Sequence, residues 1–208
     1  MVWPFIAILC SAWLYINANN AGKTWQRWIF KPATLLLLIL FAWQAPQPQT
    51  SHYLVMLGLV ATLVTDTLLL LPKERLLYAL AGAFACHLFY TLSFARETSF
   101  TLFWPLPLGL MVIGCLMLAV IWHRLEEMRW SVFTCLLMTL IMVWVAGEQY
   151  QGRGTDLAFS LLSGSLLLLL ANLLWLFSRY RCNFRQADAI IAAFYFAGHF
   201  LVVRALYI

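Results

Sequence analysis

The sequence predicts an all-α, polytopic transmembrane bundle of about eight spans, a single domain over residues 1–208, and three observations carry that prediction. Hydrophobic residues make up 64% of the chain and charged residues only 10%, with a mean hydropathy of +0.86. A soluble domain carries about 25% charged residues, so this chain lacks the charge to cover a surface facing water. Its apolar residues fall into runs of span length separated by turn-forming chemistry. Lysine and arginine gather in alternate connections, as they do when loops alternate between the two sides of a bilayer. Each span takes about 20 residues, so eight spans leave no room for a soluble catalytic domain. Any chemistry must come from residues within the helices or at their ends.

The first run, 2–18, has no basic residue before it and no small-residue cleavage site, and Lys23, Arg27 and Lys31 follow it. It reads as an uncleaved first span, ended by Asn19-Asn20-Ala21-Gly22. The second run, 32–45, is shorter than an ideal span. Lys31-Pro32 opens it, since a first helical position suits proline, and Trp25, Trp28 and Trp43 would anchor its ends at the interfaces. Pro46-Gln47-Pro48 precedes the third run, 53–71, and Pro72-Lys73-Glu74-Arg75 precedes the fourth, 76–95. The fifth, 104–122, starts on Trp104-Pro105-Leu106-Pro107, again with prolines in a first turn. The sixth, 130–147, stops short of Gly152-Arg153-Gly154, and the last two occupy 155–178 and 187–207.

Ten of the basic residues lie in the odd connections (Lys23, Arg27, Lys31, Lys73, Arg75, Arg124, Arg129, Arg179, Arg181, Arg185). Only Arg96, Arg153 and Arg204 lie elsewhere. The positive-inside rule then puts both termini on the non-cytoplasmic side. Topology accounts for most of the net charge of +5, and contact with anionic lipid headgroups is a secondary use. The two halves also resemble each other. Gly58 precedes Asp66 by the same interval as Gly164 precedes Asn172, and Phe84-Ala85-Cys86-His87 matches Phe196-Ala197-Gly198-His199. Four spans per half would make a parallel repeat about an axis along the membrane normal.

Asp66 is the leading candidate for chemistry. An ionised carboxylate within a span costs about 2.5–3.5 kcal/mol on insertion scales, so intramembrane acids are usually functional. Removal from water favours a neutral, proton-bearing form, and the alternatives are an ion pair with Lys31 or Arg75 or a structural acid bonded to a hydroxyl. Gly58, Thr62 and Asp66 share one helical face. Asn172 lies at the matching depth of the seventh run and can orient a water or form an interhelical hydrogen bond, but cannot act as acid or base. His87, with Tyr90 and Thr91 a turn further on, and His199, beside Tyr195, fall near mid-membrane. His52 and His123 sit at opposite membrane edges, so the four histidines do not form one metal site. The five cysteines have no C-x-x-C spacing, and neither a metal nor another cofactor is expected. Nucleotide-binding, zinc-protease and serine-hydrolase signatures are missing, and Ser163-Gly164-Ser165 reads as small-residue helix packing. Membrane lipids are the expected partners, and nucleic acid is not one.

Taken in order, Lys31-Pro32, Asp66, the His87…Tyr90 pair, Arg153-Gly154 and Tyr195…Ala197 resemble the YhhN-type lysoplasmalogenase family over nearly the whole chain. The resemblance implies a bacterial inner-membrane enzyme that hydrolyses the vinyl-ether bond of a lysophospholipid, the lysoplasmalogen, to a fatty aldehyde and a glycerophospho-base. It implies Asp66 as general acid, His87 as its helper and Asn172 as the group that orients water. Lys31, Tyr90, Tyr195 and His199 would contact substrate, and the rim of Lys31, Lys73, Arg75 and Arg179 would hold its phosphate. Three dipeptides depart from the family pattern. Thr65-Asp66 stands for Gly-Asp, Ala197-Gly198 for Ala-Gln, and Ala171-Asn172 for Ser-Asp, so a second acid is an amide here. The alternatives are a non-catalytic chain of the same fold, acting through protein contacts, or one that transports or handles lipid.

Overall fold

The computed structural model describes residues 3–22, 24–46, 49–70, 76–96, 98, 103–182 and 186–208. They form α1 (Trp3–Asn20), α2 (Thr24–Trp43), α3 (Thr50–Leu70), α4 (Leu76–Ala95), α5 (Pro105–Ile121), α6 (Arg129–Arg153), α7 (Asp156–Tyr180) and α8 (Ala187–Arg204), with short 3-10 turns after α5 and α8. No strand occurs among the described residues. Helices α3 to α8 are each long and apolar enough to cross a membrane, and α1 carries a shorter apolar stretch.

Seven helices close a ring. Helix α1 packs on α2, α2 on α3, α3 on α4, α4 on α6, α6 on α7, α7 on α8, and α8 returns to α1. Helix α5 stands outside, against α6 and α7, and turns Met111, Val112 and Leu116 outward, as lipid permits. Buried leucine, valine and aromatic side chains fill the ring, among them Leu35, Leu38, Leu59, Tyr90, Phe94 and Met142.

Two boundaries differ from expectation. Helix α2 begins at Thr24, so Lys31-Pro32 lies within it rather than opening it. The proline removes one backbone donor, but a single lost hydrogen bond does not stop a helix whose flanks are held by packing on α1 and α3. Ser11 and Thr34 join α1 to α2 at that level, 2.8 Å apart. Helix α6 runs on to Arg153 because Glu148 and Gln149 are buried. The Glu148 carboxylate accepts from the Phe103 N–H at 2.8 Å and the Trp144 indole at 3.2 Å, fixing the approach to α5. Gly154, at φ +59°, then ends α6 in the left-handed region, where glycine carries no Cβ penalty. Thr155 caps α7 by accepting from the Ala158 N–H.

The likeness between the halves extends to packing register. Gly58 of α3 faces Tyr90 and the Cys86 carbonyl of α4, and Gly164 of α7 faces Val202 and the Gly198 carbonyl of α8. Cys86 and Gly198 precede His87 and His199 in the matching tetrapeptides, and Tyr90 and Val202 each lie three residues beyond those histidines. The same α-helical pair is therefore built twice, in the same register.

Gly82 gives this packing a direct test. A Cβ there would lie 1.5 Å from the Thr65 hydroxyl oxygen and 2.8 Å from its Cβ, whereas one on Gly109 would meet nothing within 4 Å. Gly82→Ala should cost about 1–3 kcal/mol by overpacking. Gly109→Ala should be neutral or slightly stabilising, since alanine is the better helix former. Thermal unfolding of both variants in one detergent checks this, and equal Tm values would mean that α3 and α4 are not so closely apposed.

Candidate functional site

One cavity of about 380 Å³ opens among α2, α3, α4, α7 and α8 at the end where the odd connections lie. Arg27, Lys31, Arg179 and Asp188 line its outer part, near the ends of their helices. The lining descends α8 from Asp188 through Tyr195 to His199, eleven residues or roughly 16 Å at 1.5 Å per residue. That depth is about half a hydrocarbon core. Leu80, Ala83, Leu168 and Phe196 are among its apolar walls. The cavity is thus basic at the mouth, with polar groups down to its deep end set among apolar side chains.

Asp66, Lys31 and Tyr195 form the first of two polar groups on its wall. Lys31 Nζ lies 2.8 Å from Asp66 Oδ1, and the Tyr195 hydroxyl donates to Oδ2 at 2.7 Å. Of the states expected of Asp66, the geometry is that of a carboxylate paired with Lys31. Its solvation is replaced by an ammonium and a phenol, so the charge is tolerated although the Asp66 side chain is only 6% exposed. The pair still faces open space, because all three residues line the cavity. The Lys31 ammonium also lies 5.6 Å from the centre of the Tyr195 ring.

Thr139, His87 and Asn172 form the second group. The Thr139 hydroxyl donates to the Cys135 carbonyl at 2.9 Å and accepts from Asn172 Nδ2 at 3.0 Å. His87 Nδ1 lies 3.0 Å from the same oxygen. With the Thr139 proton engaged, this network assigns the proton to Nδ1 and leaves Nε2 as the acceptor on the ring. His87 and Asn172 both line the cavity, as the Asp66 group does. The two groups occupy matching places in the two halves: α2 bonds to α3 through Lys31 and Asp66, and α6 bonds to α7 through Thr139 and Asn172. One version is charged and the other neutral.

His199 reaches the deep end, its Nδ1 2.9 Å from the hydroxyl of the fully buried Tyr90 and its ring edge-on to Tyr195 at 4.6 Å. The structure thus gathers Lys31, Asp66, His87, Asn172, Tyr195 and His199 around one space, with Tyr90 behind His199. Lys73 and Arg75 of the expected rim lie outside the described residues, while Arg179 is at the mouth and Arg27 joins it. Thr139 went unread in the sequence, because a lone threonine in a span ordinarily bonds its own helix, as this one also does. Glu148 was missed because it follows the apparent end of its apolar run. No group of three or more His, Cys, Asp or Glu side chains among the described residues is placed to hold a metal ion.

This arrangement can be set beside known proteins. The model of the YhhN family matches residues 26–206, which include all the cavity residues named above. The chain belongs to the YhhN family. Over 208 residues, covering 100% of both chains, it is 54% identical to the "Uncharacterized membrane protein YhhN" of Escherichia coli O6:H1. The same identity and coverage hold for the proteins of that name from Escherichia coli O157:H7 and Shigella flexneri. No solved structure matches. As a YhhN-family chain it is a membrane protein, and its lining residues are the ones through which a function must be read.

Proposed function

We propose that this YhhN-family chain is a lysoplasmalogenase-type hydrolase, cleaving the vinyl ether of a lysoplasmalogen to a fatty aldehyde and a glycerophospho-base. The supporting observation is the makeup of the cavity, a basic mouth above polar groups set among apolar side chains, which suits the headgroup and ether of a single-chain phospholipid. Arg27, Lys31 and Arg179 at the mouth suit a phosphate. The Asp66 and Asn172 groups both line the cavity below it, where the ether would lie, and Leu80, Leu168 and Phe196 suit the start of a hydrocarbon chain. We take the basic end as cytoplasmic and the membrane as a bacterial inner membrane.

The ion pair suggests how acid catalysis begins. A phosphate bound at Lys31 competes with Asp66 for its ammonium and frees the carboxyl group to act as the acid. In its protonated form Asp66 delivers a proton to the enol-ether carbon remote from oxygen, leaving an oxocarbenium ion. A water held by Asn172 and deprotonated by His87 Nε2 bonds to the carbon beside the ether oxygen. The hemiacetal collapses to aldehyde, and the ether oxygen leaves as the glycerol hydroxyl. One water is consumed, with no oxidant or reductant.

Purified, detergent-solubilised chain should release aldehyde from a lysoplasmalogen and none from the matching alkyl-ether or acyl lysolipid. Absence of aldehyde from every lysoplasmalogen headgroup class would refute the proposal. Asn172→Asp restores a second acid beside His87 and should raise turnover several-fold, by stabilising the cation and activating the water. A flat or lower rate would count against charge stabilisation from that wall. The Lys31–Asp66 pair and the amide at Asn172 also favour a second reading, in which the chain binds and moves lysolipid without cleaving it. Saturable lysolipid binding without product would select it.

A further inference from the structure

His87 and His199 hold matching places in the two halves, and each engages Nδ1 and leaves Nε2 free. His87 Nδ1 meets the Thr139 hydroxyl at 3.0 Å, and His199 Nδ1 meets the Tyr90 hydroxyl at 2.9 Å. Neither Nε2 has a hydrogen-bond partner in the protein, and each keeps surface that a water-sized sphere can reach. The rings are otherwise buried, at 7% and 1% exposed, and both line the cavity, so that surface opens into it.

The two rings offer opposite chemistry. At His87 the Thr139 proton is engaged by the Cys135 carbonyl, so Nδ1 carries the ring proton and Nε2 accepts. At His199 the roles reverse. The Tyr90 hydroxyl is fully buried and must find an acceptor. Besides His199 Nδ1, its polar neighbour is the Cys86 thiol, a weak acceptor. The phenol therefore donates to His199 Nδ1. Among the described residues neither ring pairs with a carboxylate, and a neutral imidazole so held carries its proton on Nε2. A donor is thus presented four residues, or about 6 Å, further along α8 than Tyr195, which holds Asp66. Leu168, which packs on Gly198 next to His199, and Phe196 line the same space. A lone N–H among apolar side chains suits an uncharged oxygen that only accepts. An anion would lose its hydration there with Lys31 already paired to Asp66, and a hydroxyl brings a proton that His199 does not accept. A carbonyl oxygen meets the requirement. The inference rests on the proposed hydrolysis, which makes one such group on a hydrocarbon chain. We infer that His199 Nε2–H binds the carbonyl oxygen of the long-chain aldehyde, holding it at the deep end while the glycerophospho-base leaves through the mouth.

Ring-nitrogen NMR on the full-length chain in lipid nanodiscs, with isotope-labelled histidine imidazoles, tests this without turnover. Signals are assigned by their loss in His87→Phe and His199→Phe. His87 should carry its proton on Nδ1 and His199 on Nε2. The probe is 2-tetradecanone, an unreactive stand-in for the aldehyde, and it should shift the His199 signal saturably. Tetradecane should not, and tetradecanoate should bind at least about tenfold more weakly. The rise in Tm that the ketone gives should be lost in His199→Phe. A proton on His199 Nδ1, or a His199 signal indifferent to the ketone, would overturn the inference. So would equal shifts from tetradecane or tetradecanoate, or an undiminished rise in Tm in His199→Phe. The titrations of the unsubstituted chain decide the matter even if that variant folds poorly. A chain that cleaves no lysoplasmalogen can still pass, and an active hydrolase whose His199 ignores the ketone fails, so the two readings fall separately.

Discussion

Asp66→Asn is expected to lower aldehyde release from lysoplasmalogen by at least about 100-fold, the usual scale for losing a general acid. The amide keeps the size of the side chain and accepts a hydrogen bond from Tyr195, but it cannot take up and deliver a proton. Folding should survive, because Lys31 is 19% exposed near the mouth and its long stem lets the freed ammonium swing toward water. Tm and size-exclusion profile should therefore stay close to those of the unsubstituted chain while turnover collapses. Asp66→Glu keeps the carboxyl group at altered reach and should retain part of the rate. Unchanged turnover in Asp66→Asn would remove Asp66 from the chemistry, and the proposed mechanism with it.

The helices were legible because burial in lipid leaves a coarse signature: long apolar runs, with basic residues collected on alternate connections. The start of α2 escaped that signature. Thr24 to Lys31 mixes tryptophans with Arg27 and Lys31, so hydropathy places the segment outside the membrane although it continues the helix. Asp66 stood out as a lone acid in an apolar run, but its environment did not. Lys31 is 35 residues away and Tyr195 is 129, and no local spacing reveals that α2, α3 and α8 converge on one carboxylate. The tetrapeptides around Cys86-His87 and Gly198-His199 were the more informative pattern, because matching residues on matching helices pack in the same register. Thr139 marks where such reading stops. Its bond to Cys135 is what any threonine in a span makes, and only the folded chain brings His87 and Asn172 to the same oxygen.

Lys31→Met should be the most destabilising single change at the site, more so than Asp66→Asn, and the asymmetry follows from geometry. Removing Asp66 strands a flexible cation close to water. Removing Lys31 strands a short acid, only 6% exposed, that keeps the Tyr195 hydroxyl as a donor. Breaking a buried pair in this way costs about 3 kcal/mol, or on the order of 6–12 °C in Tm for a chain of this size. The double variant Lys31→Met, Asp66→Asn leaves no buried charge and should recover most of that loss, although it restores no ion pair. Non-additivity of this sign is the mark of two groups that interact directly. Thermal unfolding of the two single variants and the double variant at fixed detergent and scan rate measures it. If the double variant is as unstable as Lys31→Met, the loss comes from packing of the lysine stem rather than from the stranded carboxylate. Activity separates the two roles of Lys31 further. Because the ammonium both restrains Asp66 and meets the phosphate, Lys31→Met should raise KM about tenfold or more for a phosphate-bearing substrate and lower kcat far less than Asp66→Asn does.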